Sequence, residues 1–389
     1  MADNITHGLA AALLAQAGLR QRYGALATAA LLVGSELPDF DALFELGGPV
    51  SGFVHHRGIT HSLPGGAGLA LLGAALLWGV WRSHPYWRVT WLVYLGVLLH
   101  IGMDYLTSYG TQIFLPLYAG HYTADAVFIV DFTYSGLMIT GLLLVRMVRR
   151  QRQERYGRAS LIWVGLGGIA WRAAPALAER PLTLLALQSA GLHVMAFALV
   201  VGLAAWGCRH WKEHRAVVLG RVGVGAVLGY VALCVVTHAV ARHQMAHALG
   251  PQMAHVRRLA ALPVPGGGPL QWRAIAVTDT AYLVSRVSIL PAAVTAPQSI
   301  AKGPGADNSV IQAASRYRLV RVFWDFARFP VIDYWEQGGE TVVRYADLRF
   351  SSNGRDRSWF NLTVRLDQAG QVQVIEFLNR LFHPNHPAS

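Results

Sequence analysis

Residues Val89–Leu106 read VTWLVYLGVLLHIGMDYL. A helix needs about 20 mostly apolar residues to cross a bilayer, and this run supplies them. It closes on His100 and Asp104, which stand at i and i+4 and therefore share one helix face. Ionisable groups in such a helix are costly and usually functional. The run therefore implies a helical membrane protein and leaves open what its two polar residues meet.

Further runs of similar length follow the same reading: Pro64–Trp81, Ala126–Val148, Leu184–Gly207 and Val217–Val240. Leu161–Leu177 is weaker because Arg172 lies inside it. Ile5–Leu19 and Ala25–Leu37 flank Arg20 and Arg22 and are short for a span, so partial or tilted membrane helices are expected there. The whole chain is 14% charged, well below the quarter or so of a soluble domain, which agrees with a polytopic membrane protein. MADNITHGLAAALLAQ at the start lacks a basic n-region, so no cleavable signal peptide is expected.

After about His255 the pattern changes. PVPGGGP (Pro263–Pro269) breaks the helical text, and beyond it WRAIAVTD, AYLVSRVSI, ETVVRYADLRF, WFNLTVRLD and QVQVIEFL alternate as strands do. Asn308–Phe326 is more helical. The expected fold is mainly α, a polytopic helical membrane domain followed by a smaller soluble α+β domain with an antiparallel sheet. Residues 1–150 form the membrane-embedded domain, 151–260 add transmembrane helices and arginine-rich loops, and 261–389 form the soluble domain.

The formal charge of +12 is carried mostly by arginine at helix ends. This is the pattern of cytoplasmic loops rather than of a nucleic-acid surface, so no nucleic-acid partner is expected. With Arg20/Arg22, Arg82/Arg88, Arg146–Arg158 and Arg209–Arg215 inside, His7, Asp39, FVHHRGITHS (Phe53–Ser62), His100 and Asp104 fall at the outer face. The C-terminal domain joins them outside if Leu161–Leu177 enters the membrane, and lies inside if it does not.

Four segments thus offer ligands at one face: Thr6-His7, Asp39 and Asp41 after Pro38, the histidines His55, His56 and His61, and His100 with Asp104. Each alone reads as a solvated loop residue or a cap; their convergence points to a metal site. Mixed His and Asp ligands suit Zn²⁺ best, with Mn²⁺ or Fe²⁺ as alternatives. More ligands than one tetrahedral ion needs raise the option of two metals, the arrangement that hydrolyses phosphate esters. Asp39 or Asp41 would then bridge or act as base, Arg57 would face developing negative charge, and Thr60 and Ser62 would orient ligands. Cys208 and Cys234 form no zinc knuckle, and HExxH, GxSxG and P-loop motifs are absent. A second group, His238, His243, His247 and His255, has no carboxylate nearby and reads as a solvated interfacial helix.

Thr6-His7, PDxD (Pro38–Asp41), HRGxTHS (His56–Ser62) and HxxxD (His100–Asp104) together resemble the YdjM-like family of bacterial inner-membrane, metal-dependent hydrolases, some of them LexA-regulated. The resemblance covers about the first 150 residues. It implies metal or catalytic roles for His7, Asp39, His56, His61, His100 and Asp104, with His55 and Asp41 at its margin. A more distant similarity to zinc-dependent phospholipase C and P1-type nucleases implies a phosphodiester or lipid-like ester as substrate, with membrane lipid as surroundings. The YdjM-like resemblance implies a place in the bacterial inner membrane; the arginine distribution puts the site on the periplasmic side, and the C-terminal domain with it if Leu161–Leu177 spans. The competing expectation is a scaffold or sensor whose metal is structural and whose C-terminal domain meets a protein partner. The tail, with FARFP (Phe326–Pro330) and DLRF (Asp347–Phe350), looks like the C-terminal extension of longer family members, and the arginine of ARFP reads as a structural anchor.

Overall fold

A computed structural model describes residues 4–149, 215–305, 307–351, 360–377 and 380–382, with scattered positions between 164 and 211. The expected helices Leu161–Leu177 and Leu184–Gly207 lie essentially outside the described residues. The chain forms two compact units: Met1–Phe40, Ile59–Thr237 and Pro263–Pro269 make the first, and Asp41–Gly58, His238–Leu262 and Leu270–Ser389 the second.

In the first unit, α1 (Asn4–Leu14) runs through a kinked π-turn at Gly18 and one further turn into α2 (Ala25–Glu36). After the short α3 (Pro49–His55), which belongs to the second unit, come α4 (Leu63–Trp78), α5 (Tyr86–Leu106), α6 (Phe132–Arg149) and α7 (Ala216–Leu249), whose residues from His238 on belong to the second unit. Among the described residues, α5 and Ala216–His255 (α7 with the 3-10 turn after it) are long and apolar enough to cross a membrane; Val50–His61 with Leu63–Trp78 counts as a third if taken as one bent span.

Two glycines decide how α2 and α5 pack. A Cβ on Gly34 would lie 2.0 Å from the Val93 carbonyl oxygen, and one on Gly96 would lie 2.5 Å from that of Leu31. The helices therefore meet backbone to backbone, the close approach that small residues permit. Leu26, Ala30, Ala70, Ala74, Val89, Val93 and Val97 fill the core around this crossing. One turn further along, the Ser35 carbonyl meets His100.

The expected helix Ala126–Val148 begins later, at Phe132. The preceding residues have another use. The amides of Ala124, Ala126 and Val127 bond the carbonyls of Tyr105 and Leu106, which the end of α5 leaves without helical partners. Asp131 then caps α6, its Oδ1 accepting from the amides of Thr133 and Tyr134. Val217–Val240 falls inside α7, which runs on through the histidine-rich segment to Leu249.

The second unit carries two antiparallel sheets. β1 (Arg258–Pro263), β2 (Gln271–Val277), β3 (Ala281–Ser288), β4 (Ala293–Val294) and β5 (Gln298–Ala301) form one, with β4 and β5 both on β3. The other is a meander of β6 (Pro330–Gln337), β7 (Glu340–Asp347), β8 (Asn361–Leu366), β9 (Val372–Phe377) and β10 (Arg380–Phe382). The Asn308–Phe326 stretch forms α8 (Ser309–Ala314) and α9 (Arg318–Phe326). β1 escapes an alternation reading because its second half is buried on both faces. Ala261, Trp272, Ala274 and Ala276 pack on Ala241, Met245 and Leu249 of α7, while Ala260, Leu262 and Ile275 pack on Phe329, Val331 and Leu348. Phe53 of α3 sits among Phe323, Phe326, Phe360 and Phe377.

The DLRF segment is an anchor. Asp347 accepts from the amides of Arg328 and Arg349 and pairs with the Arg349 side chain at 2.8 Å, both side chains buried. Arg349 also bonds the Phe326 carbonyl and lies over the rings of Phe326 and Phe350. Desolvation by burial lowers the pKa of Arg273 to about 10 against the charge of Asp347; its guanidinium bonds the carbonyls of Leu348 and Arg349.

Two predictions follow from this packing. Asp347→Ala strands a buried arginine and two amides, so the C-terminal unit should lose about 3–5 kcal/mol, read by chemical denaturation of the purified protein. Gly34→Leu should force α2 off α5 and lower the thermal midpoint in detergent, whereas Gly102→Ala, in open space on α5, should cost much less.

Candidate metal centre

Five of the six residues expected to bind metal come from four elements of the first unit, and the sixth, His56, belongs to the second. His7 lies in α1, Asp39 follows Pro38 in a 3-10 turn after α2, His61 ends the 3-10 turn before α4, and His100 and Asp104 lie one turn apart in α5. Ser62 explains why α4 starts immediately after His61: its Oγ accepts from the Gly65 amide and donates to the Ile59 carbonyl, capping the helix.

Four ligand atoms converge. His61 Nε2 lies 3.0 Å from His100 Nε2, 3.5 Å from Asp39 Oδ1 and 3.3 Å from Asp104 Oδ2. His100 Nε2 lies 3.7 Å from Asp39 Oδ1 and 3.6 Å from Asp104 Oδ2. A tetrahedral ion with bonds near 2.0–2.2 Å holds its ligands about 3.3–3.6 Å apart. The five distances, 3.0–3.7 Å, lie around that edge length, while Asp39 and Asp104 fall in separate ion-holding groups. His7 stacks on His100, ring centres 3.9 Å apart, and its Nε2 lies 3.5 Å from the other oxygen of Asp104. His7, Asp39 and His100, and His61, His100 and Asp104, are the two groups able to hold an ion among the described residues.

The hydrogen bonds also suit a cation. The Ser35 carbonyl can only accept, so His100 Nδ1 carries the hydrogen, at 2.6 Å, and a neutral His100 turns a lone pair toward the centre. His61 Nδ1 is 3.0 Å from Thr60 Oγ1. If neutral, His61 brings at most one N–H to a centre that already holds two carboxylates. A divalent ion cancels both charges and needs no hydrogen there. In its absence, burial pushes the Asp39 carboxyl up while the His61 hydrogen bond and the charges of His100 and His61 pull it down, and it settles below its usual value. Asp39 Oδ2 and His7 Nδ1 are buried without a hydrogen-bond partner among the described residues. The donor set fits a metal.

The other expected residues are placed elsewhere. Asp41, His55, His56 and Arg57 belong to the second unit. His56 Nδ1 lies 3.4 Å from Asp41, and the Arg57 amide donates to Asp41 Oδ2 at 2.8 Å. Arg57 takes a left-handed backbone, φ 56°, with its side chain buried, and exposed His55 packs on Phe44. None of the four is in either ligand group. The chain divides at Gly58/Ile59, inside the motif, so its two halves have different partners. Asp131 was not among the expected residues. Together with His7, Asp104, Thr107 and Tyr134 it lines a cavity of about 30 Å³.

Residues 1–176 match the family described as YdjM inner membrane protein. The uncharacterized protein YfhP of Bacillus subtilis (strain 168) is 25% identical over a stretch covering 32% of this chain and 46% of YfhP. The matched part thus spans less than half the length of that curated relative. No solved structure matches the chain.

Thr60 gives a test of the centre that leaves every ligand in place. Thr60→Val removes the partner of His61 Nδ1, so zinc affinity should fall about 10–100-fold with stoichiometry unchanged, measured by competition with a chromogenic chelator.

Proposed function

We propose that residues 1–176, the YdjM-family region, form a membrane-embedded, metal-dependent hydrolase acting on a phosphodiester or lipid-like ester. The observation that carries this reading is the convergence of His61, His100, Asp39 and Asp104 at tetrahedral-edge distances, with His7 on the second oxygen of Asp104. These residues would hold Zn²⁺, or Mn²⁺ or Fe²⁺ in its place. Such an ion, when bound, polarises an ester and lowers the pKa of a coordinated water.

The chain's own residues divide the work. Ser35 and Thr60 fix the faces that His100 and His61 turn to the centre. Asp104 reaches His61 and His100 with one oxygen and His7 with the other, so it can bridge two ions. The aliphatic packing around α2, α4 and α5 keeps bulk water from the ligands. The arginine distribution supports a periplasmic site, with lipid or a lipid-like molecule as the accessible substrate.

A second reading rests on a specific observation. His61, His100, Asp39 and Asp104 supply four protein ligands, which closes the shell of a single ion and is the mark of a structural site. His7 distinguishes the two. Metal content of the detergent-purified chain is measured by mass spectrometry alongside hydrolysis of bis(p-nitrophenyl) phosphate and phospholipid. The hydrolase reading expects His61→Ala to abolish both metal and turnover, and His7→Ala to reduce turnover at least about 100-fold while about one equivalent of metal remains. Metal lost with His61→Ala, no ester hydrolysed by wild type and no effect of His7→Ala would establish the structural site instead.

A further inference from the structure

The cavity beside His7 and Asp104 has a second set of walls that the ligand set leaves unexplained. At about 30 Å³ it has room for a water, and Asp131, Thr107 and Tyr134 offer polar groups around it. His7, whose buried Nδ1 has no hydrogen-bond partner among the described residues, also lines it. Asp131 arrives there because residues 124–127 are tied to the end of α5, so the turn into α6 is held beside Asp104.

Asp131 is held from three directions. Its Oδ1 accepts from the amides of Thr133 at 2.9 Å and Tyr134 at 3.0 Å, and its Oδ2 accepts the Tyr230 hydroxyl at 2.6 Å. A carboxylate offers about four acceptor positions, so about one remains. Three donors fix the carboxylate in place, which makes Asp131 a well-positioned hydrogen-bond acceptor. Tyr230 comes from α7, beyond the residues that match the family.

We propose that this cavity is the water site of the metal centre, and that Asp131 is a positioning residue that accepts a hydrogen bond from that water and fixes its orientation. Tyr230 and the first amides of α6 hold its carboxylate in position. The inference rests on the metal-centre reading and adds two residues to it, one of them contributed by the long C-terminal helix of the bundle.

The test uses the full chain in detergent, loaded with Co²⁺, with the visible cobalt spectrum followed against pH. A negative charge accepting a hydrogen bond favours the water over its deprotonated form. Asp131→Asn should therefore lower the spectral midpoint by about one pH unit with cobalt stoichiometry unchanged. Asparagine caps a helix about as well as aspartate, so α6 should survive the change. Tyr230→Phe removes one of the three donors, strengthens Asp131 as an acceptor and should raise the midpoint by a few tenths of a unit; it serves also if Asp131→Asn does not fold. A midpoint in Asp131→Asn equal to wild type or higher overturns the proposal, as does a Tyr230→Phe midpoint equal to wild type or lower. A wild-type cobalt spectrum that does not titrate overturns it while leaving the metal centre standing. A wild type that takes up no cobalt removes the metal centre and this inference together.

Discussion

Two carboxylates and two imidazoles point at one centre inside a helical bundle, and at most one hydrogen lies between them when the imidazoles are neutral. Like charges so close in a low-dielectric surrounding are tolerated only if something positive joins them. The rest of the first unit is arranged to keep this group together. Backbone contact between α2 and α5 at Gly34 and Gly96 leads to the Ser35–His100 bond, and the Ser62 cap ends the irregular chain directly after His61. A side chain at either glycine would separate the helices that carry Asp39 and His100.

The segment between Asp39 and His61 leaves this arrangement and returns to it. Asp41–Gly58 belongs to the second unit, where Phe53 enters an aromatic cluster and Asp41 receives the Arg57 amide and faces His56. Adjacent histidines of one motif thus serve different ends. His61 is buried among ligands, while His55 and His56 belong with the aromatic and acidic side chains of the other unit. Sequence spacing cannot separate these roles: left-handed Arg57 lies in a turn that the Gly58 amide closes on the His55 carbonyl, and the unit boundary follows directly.

The C-terminal unit follows the same economy of buried charge. Asp347 is satisfied by two amides and Arg349, whereas Arg273 bonds two carbonyls and leaves its buried Nε without a partner among the described residues. The anchoring role expected for ARFP agrees with the Arg328 amide on Asp347, and DLRF supplies the partner. Nothing in that unit among the described residues resembles the acceptor-rich centre of the first, and the histidines of the α7 tail form no metal-binding group there.

Much was legible in the sequence by itself. Apolar runs of spanning length, alternation after Pro263, and the i, i+4 spacing of His100 and Asp104 are local patterns, and local backbone geometry turns them directly into helices, strands and a shared face. His7, Asp39 and His61 were legible through motif, since ionisable residues at the margins of apolar helices need partners. Tertiary structure alone decided which of them meet. The choice of Asp39 over Asp41 and of His61 over His56, the Ser35 carbonyl behind His100, and the approach of Tyr230 to Asp131 across 99 residues of chain all depend on helix packing. Contacts between distant segments are set by how glycines and side chains interlock across helices, and no periodicity within one segment records that.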